Sequence, residues 1–451
     1  MQILIVGGGK VGATLAAQLL REGHDITVID RNEKVVTSLG NTLDVICLSG
    51  NGASYPLLVE AEAGKKDLVI AATASDEINM LCCLTAHKLG AQHTAARVRG
   101  PEYFDQLGFL KDVLGLTMII NPELAAAQEI DRMLRVPSAA KVELFAKGRA
   151  ELVSCRVPKG SLLSGQKLMD FGRAKLNILI CAVERGGEIF IPSGDFVIRE
   201  GDTLSFTGAP HAMEAAFKKI NLATERAHSV MIVGGGRITY YLSSLLAKEG
   251  VSVKIIEKDA ARANELSALL EKPVVLQGDA ADHELLIEEG LDKLDAFVAL
   301  TGLDEGNILS ALYASQRKVR KVIAKVNNDN LIPLVRETTL DSFVSPKSIT
   351  ANQILRYVRA LSASHSDENI ESLYKLADGR IEVLEFLAGP EGAYLNGTLS
   401  ELPLKKGILI ACIVRDGRAL IPGGADSIRP RDSVLVVTHD RRLTKLSDIL
   451  E

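Results

Sequence analysis

Tryptophan is absent from this chain of 451 residues, and aromatic residues make up only 4% of it. This scarcity argues against a protein that binds single-stranded nucleic acid, because such proteins stack bases on aromatic rings. An excess of positive charge is also lacking, since the formal net charge is −5. We therefore predict no nucleic-acid partner and no general attraction to anionic lipid.

Cysteines with the spacing of a metal site or a disulfide framework are absent as well. The six cysteines form no Cys-x-x-Cys pair and have no histidine at zinc-ligand spacing. This pattern indicates a reducing compartment and no bound metal. The opening MQILIVGGG reads as a buried strand and not as a signal peptide, and no apolar run approaches the roughly 18 residues that span a bilayer. We therefore expect a cytoplasmic protein that can dock onto a membrane without crossing it.

The sequence does contain a glycine-rich stretch that occurs twice. ILIVGGGKVG at 3–12 matches VMIVGGGRIT at 230–239. The similarity continues through DITVID (25–30) and SVKIIE (252–257), DLVIAATASDEIN (67–79) and DAFVALTGLDEGN (295–307), and ILICAVERGGEIF (178–190) and ILIACIVRDGRAL (408–420). Because the register drifts by only a few residues over more than two hundred, we interpret the chain as a tandem duplication.

Each copy begins with apolar strands that alternate with helical patterns, which predicts a parallel sheet covered by helices on both faces. A helix is expected to start at Asn121 and Pro122, and its counterpart at Ser345 and Pro346. The remainder of each copy consists of strand-length segments broken by turns. The predicted fold class is α/β: two Rossmann-like, doubly wound parallel-sheet domains (N-domains), each followed by a small β-rich α+β module (C-module).

The repeat also predicts where these parts begin and end. Polar segments at 221–228 and 362–369 are interpreted as linkers. The predicted parts are the first N-domain at 1–135, the first C-module at 141–222, the second N-domain at 228–362 and the second C-module at 369–451.

In the first copy, Gly7, Gly9 and Gly12 form a G-x-G-x-x-G motif between a strand and a helix. The first glycine allows the tight turn, the second lets a pyrophosphate approach the backbone, and the third lets helix and strand pack closely. The helix N-terminus then offers free N–H groups to phosphate. Asp30 ends the next strand, where a carboxylate accepts ribose hydroxyls and disfavours a 2′-phosphate. The pattern predicts an adenosine nucleotide such as NAD in preference to NADP.

The second copy keeps Gly234, Gly236 and an acid, Glu257, but Thr239 replaces the third glycine. A β-branched side chain there is expected to crowd the helix against its strand. Two interpretations stay open for this copy: a second nucleotide site, or a fold that has lost its ligand.

Loops at the other strand ends face the same crevice of such a sheet. Asn51 with Gly52, and Asp279 with Ala280, either bind the adenine edge or form ordinary turns. Thr73 and Ala74 follow the fourth strand, and Asp76 is interpreted as the cap of the next helix.

Two arginines, Arg97 and Arg99, flank the end of the fifth strand. They either bind phosphate as a charge clamp or are merely solvated. In the second copy Lys325 and Asn327 take their places, so any clamp there is expected to be weaker.

Motifs of catalysis are not found. No tyrosine has a lysine four residues later, and no G-x-S-x-G, P-loop or H-E-x-x-H motif occurs. We therefore do not predict an enzyme, although a soluble NAD-dependent oxidoreductase remains an alternative.

The order GGGKVG, DITVID, GNGA, DLVIAATASDEIN, ARVRGPEYF and a GDTL-containing module, all repeated, resembles the regulatory subunits of the bacterial Trk potassium-uptake system. The resemblance covers essentially the whole chain and implies tandem RCK (also called KTN) domains that bind NAD(H) or ATP/ADP. It further implies a homotetrameric gating ring on the inner face of the cell membrane. The implied partner is a potassium-transporting membrane subunit of the TrkH/TrkG kind. A regulator of another cation transporter or antiporter is the second alternative.

Residue patterns and resemblance together give the candidate nucleotide-contacting residues. They are Gly7, Gly8, Gly9, Lys10, Val11, Gly12, Asp30, Arg31, Asn51, Gly52, Thr73, Ala74, Arg97 and Arg99 in the first copy, and Gly234, Gly235, Gly236, Arg237, Ile238, Glu257, Asp279, Ala280, Thr301 and Lys325 in the second.

Overall fold

A computed structural model describes residues 1–136, 139–161, 163–173, 176–220, 226–332, 334, 338, 340, 342–362, 370–376, 380–439 and 443–451. Its chain divides into two compact units. The first unit comprises Met1–Gln128, Gly235–Ser244 and Ser345–Leu355, and the second comprises Glu129–Gly234, Leu245–Val344 and Arg356–Glu451. Both predicted linkers lie mostly outside the described residues, so the domain boundaries proposed there stay predictions.

A six-stranded parallel sheet lies in the first unit. Its strands are β1 Gln2–Val6, β2 Asp25–Asp30, β3 Ile46–Ser49, β4 Leu68–Ala71, β5 His93–Arg97 and β6 Met118–Ile120. The helices are α1 Lys10–Arg21, α2 Glu33–Thr42, α3 Tyr55–Glu60, α4 Asp76–Leu89, α5 Leu107–Leu114 and α6 Pro122–Arg135, and α6 continues into the second unit. The strand order is β3-β2-β1-β4-β5-β6. Since the order reverses between β1 and β4, the carboxyl ends of these strands border the crevice where such folds bind ligands.

The central strands are apolar along their length because helices cover both faces of the sheet. Ile3–Val6 and Leu68–Ala71 are at most 1% exposed. Leu15 and Leu19 of α1 are buried at the four-residue spacing of one helix face. Asn121 accepts a hydrogen bond from the Leu124 N–H at 2.9 Å, so it caps α6 as predicted.

An antiparallel sheet follows in the second unit. It contains β7 Ala139–Phe145, β8 Ala150–Arg156, β9 Ile178–Arg185, β10 Glu188–Phe190 and β11 Thr203–Gly208, with helices α7 Leu168–Arg173 and α8 Pro210–Lys219. The order is β10-β9-β11-β8-β7. Phe206 of β11 and Phe217 of α8 pack edge to face with ring centroids 5.2 Å apart, which fixes the helix on the sheet.

The second copy repeats both sheets. Its parallel sheet contains β12 Ser229–Val233, β13 Ser252–Glu257, β14 Val274–Gln277, β15 Ala296–Ala299, β16 Lys321–Lys325 and β17 Phe343–Val344, in the order β14-β13-β12-β15-β16-β17. The helices are α9 Arg237–Lys248, α10 Ala260–Leu269, α11 His283–Glu288, α12 Asp304–Gln316 and α13 Pro346–Ser362. The antiparallel sheet contains β18 Ile370–Leu376, β19 Ile381–Leu387, β20 Ile408–Arg415, β21 Arg418–Leu420 and β22 Ser433–Thr438, in the order β18-β19-β22-β20-β21. The predicted fold class and the duplication are both confirmed.

The two antiparallel sheets, which belong to the same unit, share one apolar core. It contains Phe145, Ala150, Leu152, Cys181 and Ala182 from the first sheet and Tyr374, Leu376, Ile381, Val383, Ala411, Cys412, Val414, Leu435 and Val437 from the second. The Glu385 carboxylate adds a polar link, because it accepts from the Ala146 N–H at 3.0 and 3.1 Å. The duplicated modules are therefore joined within one chain.

The two copies differ in the ion pairing of one buried glutamate. Glu382 in β19 forms a two-pronged ion pair with Arg359 of α13, at 2.8 and 3.2 Å. Glu151 occupies the equivalent place in β8, but Arg135, the counterpart of Arg359, pairs with Asp131 at 2.8 Å. Burial raises the pKa of Glu151 to about 7.

Replacing Glu151 by glutamine is expected to stabilise the protein at pH 8 and to change little at pH 4. The folded chain retains the proton of this carboxyl up to about pH 7, whereas the unfolded chain loses it near the ordinary pKa of about 4.3. The contribution of this carboxyl to the free energy of unfolding is therefore fully present below the unfolded pKa. It is lost as the pH rises through the folded pKa. Urea denaturation should show a gain of roughly 1–3 kcal/mol in the free energy of unfolding at pH 8.

Glu382→Gln is the matched control at the equivalent position of the second copy. It removes a buried carboxylate from the Arg359 guanidinium, which is 7% exposed. Removing one partner of a buried ion pair is expected to lower the free energy of unfolding by roughly 3–5 kcal/mol. If both substitutions destabilised the protein at pH 8, the proposed difference between Glu151 and Glu382 would be wrong.

Candidate functional site

Three glycines shape the turn between β1 and α1. Gly7 has a φ of +103°, and a Cβ there would lie 2.9 Å from the Ala72 carbonyl carbon and from the Thr73 nitrogen. A Cβ on Gly12 would lie 1.8 Å from the Gly7 oxygen. Neither position accepts a side chain without moving backbone, so the turn is pressed against the segment after β4.

Gly9 is the open point of this turn, because a Cβ there would meet nothing within 4 Å. It is the N-cap of α1, and no side chain caps the helix. Gly8 is buried, whereas Lys10 is exposed and Val11 is half-buried. The first N–H groups of α1 are thus presented beside open space, which suits a phosphate.

Asp30 connects the end of β2 to the glycine turn. Its carboxylate accepts from the Gly8 N–H at 2.7 Å and from the Asn32 N–H at 2.8 Å. A carboxylate has about four acceptor positions, so two remain for ribose hydroxyls. Arg31 next to it is exposed.

The turn after β3 contains Asn51 and Gly52. Asn51 accepts from the Ala53 N–H at 3.1 Å, which is the bond of an ordinary turn. Gly52 is buried, and a Cβ there would lie 2.0 Å from a methyl group of Val6. Both residues therefore have a structural role, and the exposed Asn51 amide group is still able to donate to a base.

Asn79 of α4 holds the segment after β4, and sequence reasoning missed it. It is fully buried and accepts from the Thr73 N–H and hydroxyl at 2.8 and 2.7 Å. Its amide group donates to the Arg97 carbonyl at 2.8 Å. The available signal was the repeat itself, since Asn307 makes the same two bonds to Thr301 in the second copy.

The prediction that Asp76 caps α4 is wrong. Ser75 is the cap and accepts from the Ile78 N–H at 3.2 Å. Asp76 instead accepts from the N–H groups of Arg99 and Gly100, at 2.7 and 2.8 Å. The physical reason is distance, because the side chain preceding the helix reaches its free N–H groups and leaves Asp76 to satisfy the end of β5.

Arg97 and Arg99 both point to the segment after β4. Arg97 donates to the Thr73 carbonyl, and Arg99 donates to the Ala74 carbonyl. The Nε of Arg97 is buried without a hydrogen-bond partner. Burial lowers the pKa of Arg97, and the charges of Arg99 and Arg237 lower it further. The two arginines thus support the loop and leave donor capacity for an anion; they are not simple solvated ends.

The second glycine turn repeats the first in part. Gly234 has a φ of +99°, and a Cβ there would lie 2.8 Å from the Leu300 carbonyl carbon and from the Thr301 nitrogen. Gly235 is buried, and a Cβ on Gly236 would meet nothing within 4 Å. The open position next to a helix N-terminus is therefore retained.

Thr239 is accommodated with no exposed surface. At the equivalent Gly12 a Cβ would lie 1.8 Å from the turn carbonyl oxygen, so the two copies differ at this position. Arg237 opens α9 and is exposed, and Ile238 is buried.

The polar residues of the second copy repeat one bond of the first, because Asp30 likewise accepts from the N–H two residues later. Glu257 accepts from the Asp259 N–H at 2.8 Å. Asp279 pairs with Lys258 at 2.7 Å, and that hydrogen bond lowers the pKa of Asp279. Ala280 is half-buried, and Lys325 lies 3.5 Å from the Leu300 carbonyl.

Nucleophilic chemistry has little support in the described part of the chain. Burial raises the pKa of Cys82, Cys181 and Cys412 to about 12, so these thiols stay protonated at neutral pH. The arrangement at the carboxyl ends of the parallel strands offers N–H donors, an acid and cations, which fits binding of a nucleotide. Over the described residues no helix is both long and apolar enough to cross a membrane.

Comparisons with known proteins agree with this architecture. The TrkA-N domain family model matches residues 3–122 and 230–346, and the TrkA-C domain model matches residues 152–221 and 383–451. The Trk system potassium uptake protein TrkA homolog of Archaeoglobus fulgidus is 33% identical over 449 residues, which covers 100% of both chains. The Trk system potassium uptake protein TrkA of Haemophilus influenzae is 31% identical, covering 98% of this chain and 96% of its own.

A solved structure of the GsuK channel bound to NAD has the same fold, with a TM-score of 0.63 at 19% identity. It covers 97% of this chain and 76% of that chain. Paired TrkA-N and TrkA-C domains and full-length relatives decide the assignment: the chain belongs to the TrkA family of Trk system potassium uptake proteins, which are regulatory and not catalytic.

Proposed function

We propose that this protein binds adenine nucleotides, NAD(H) and ATP or ADP, at its two glycine turns and thereby controls potassium uptake. In this proposal it acts as a homotetramer, a gating ring on the inner face of the cell membrane. The partner is a membrane-embedded potassium-transporting subunit of the TrkH/TrkG kind. The observation that carries the proposal is the duplicated turn, with an open glycine at a helix N-terminus in both copies.

The chemistry of the first turn supports an adenosine nucleotide. The open side of Gly9 admits a pyrophosphate to the N–H groups of α1. Asp30, already fixed to the turn through Gly8, is placed to accept ribose hydroxyls. NAD(H), ATP and ADP share the adenosine and the first phosphates, so one turn accepts all three. NAD bound to the GsuK channel is consistent with this choice.

Regulation requires that the nucleotides differ in their affinity for two states of the ring. A ligand with equal affinity for both states shifts nothing, however tightly it binds. The phosphate end is where these nucleotides differ, and in the first copy Arg97 and Arg99 stand there. We infer that the number and position of phosphates set the ring geometry and, through it, the pore. Because each chain has two N-domains, four chains supply the eight N-domains of such a ring.

A second candidate is a regulator of another cation transporter or antiporter. The same nucleotide turns would serve it, so the distinction rests on the partner. Purification of the protein from native membranes, followed by identification of the associated integral membrane protein, separates the two. A partner that is not a potassium transporter would replace the Trk assignment.

Asp30→Ala is expected to weaken NADH binding to the first copy by roughly 1–3 kcal/mol, the cost of an unpaired polar partner. The ribose hydroxyls lose their acceptor, and the Gly8 N–H loses its bond as well. Isothermal calorimetry measures the dissociation constant. Asp25→Ala is the control, because Asp25 lies exposed at the opposite end of the same strand. An unchanged constant for Asp30→Ala would refute the ribose contact.

Gly9→Asp and Gly236→Asp test the two turns separately. A side chain fits at both positions because a Cβ meets nothing within 4 Å, and Gly9 has a φ of −64°. The new carboxylate would occupy the phosphate position and repel it, so affinity at that turn should fall at least tenfold, about 1.4 kcal/mol.

Calorimetry with NADH should count two equivalents of parental affinity per chain, one for either variant and none for the double variant. The melting temperature is the control for folding and should stay unchanged. Two equivalents in Gly9→Asp would place the ligand elsewhere, and one equivalent in the parent chain would confine NADH binding to one copy.

A further inference from the structure

Tyr241 connects the helix of the second glycine turn to the first copy, within one compact unit. It lies one turn into α9, four residues after Arg237, and is 2% exposed. Its hydroxyl donates to the Arg99 carbonyl at 2.9 Å and accepts from the Asn121 amide group at 3.1 Å. Burial raises the pKa of Tyr241 to about 12, so the hydroxyl keeps its proton and acts as a donor.

Arg99 connects Tyr241 to the segment that packs against the first glycine turn. Its N–H is bound by Asp76 at 2.7 Å, and its guanidinium donates to the Ala74 carbonyl. The same segment lies against the first glycine, because a Cβ on Gly7 would come within 2.9 Å of Thr73. A continuous series of contacts therefore runs from the start of α9 to the first turn.

Asn121 fixes the other side of the tyrosine hydroxyl. Its carbonyl oxygen caps α6, while its amide group donates to Tyr241. Both ends of this side chain are thus used, so Tyr241 is tied to α6 as well as to β5. The hydroxyl has little freedom to move unless α9, α6 or the end of β5 moves with it.

Charge links the same two regions. Arg237, the first residue of α9, is one of the charges that lower the pKa of Arg97. An anion at the head of α9 would reduce this repulsion and so alter how Arg97 and Arg99 hold the segment after β4. Hydrogen bonds and an electrostatic interaction thus connect α9 with the residues around the first turn.

The residues equivalent to Tyr241 and Asn121 make different bonds. Thr14 takes the place of Tyr241 in α1, and its hydroxyl donates to the Lys10 carbonyl of its own helix. Ser345 takes the place of Asn121, and its hydroxyl accepts from the Ser348 N–H at 3.4 Å. At these two positions the duplication has therefore diverged: Tyr241 reaches the first copy, whereas Thr14 bonds within its own helix.

We propose that Tyr241 is a positioning residue through which a nucleotide at the second glycine turn changes the affinity of the first. The inference rests on the proposed nucleotide sites and adds their coupling. A phosphate at the N-terminus of α9 would fix its first turn, and the tyrosine hydroxyl would transmit that position to the Arg99 carbonyl.

The experiment compares NADH affinity at the first turn in the chain with both turns filled and at NADH concentrations too low to fill a second turn weakened by Glu257→Ala. The ratio of the two dissociation constants, measured by calorimetry, is the coupling. In the parent chain we expect the ratio to lie in the usual range for allosteric coupling, roughly 5- to 150-fold. In Tyr241→Phe, which keeps the ring, the ratio should approach 1.

Two further variants separate positioning from packing. Tyr240→Phe is the matched control, because Tyr240 is the neighbouring tyrosine on the same helix, and it should keep the parental ratio. Asn121→Ser removes the amide donor but can cap α6 as Ser345 caps α13, and it should lower the ratio. This variant also serves if Tyr241→Phe folds poorly.

The outcomes distinguish the coupling from the proposed function. Two NADH equivalents with a ratio of 1 in the parent chain would overturn the coupling and leave the nucleotide sites standing. One equivalent would overturn the coupling and the second site together. An unchanged ratio in both Tyr241→Phe and Asn121→Ser would show that any coupling takes another route.

Discussion

The approach of the first glycine to the segment after β4 is the constraint on which the rest of the site depends. A Cβ on Gly7 would stand 2.9 Å from the backbone of Ala72 and Thr73, and one on Gly12 would stand 1.8 Å from the Gly7 oxygen. In this arrangement Asp30 accepts from the Gly8 N–H, and the arginines at the end of β5 donate to the carbonyls after β4. A movement at any of these points therefore displaces the residues bonded to it.

Duplication has kept this constraint and changed the polar groups around it. Gly234 repeats the close approach of Gly7, and Asn307 repeats the bonds of Asn79. Away from the turns the copies differ: Glu382 has a guanidinium partner, whereas its counterpart Glu151 has a pKa raised by burial. Such differences make the two halves of one chain unequal, so a ring built from it would contain two kinds of site.

Much of this organisation was accessible from sequence because it has short-range causes. Glycine spacing, apolar strands and the acid ending β2 predicted the parallel sheets, their turns and the place of Asp30. The error at Asp76 and the omission of Asn79 share a cause: their partners lie at the end of β5, about twenty residues away, where no local pattern points. The Tyr241 bridge to Arg99, formed between the copies, is beyond any local pattern.

We propose that nucleotide occupancy of the glycine turns controls potassium movement through a membrane partner. Rubidium flux into liposomes that contain the potassium-transporting subunit of the same host, with this protein bound, tests it directly. The account predicts different fluxes in ATP, ADP and NADH, and loss of the difference when both open glycines carry aspartate. Equal fluxes in all nucleotides, with the protein bound and nucleotide sites filled, would contradict it.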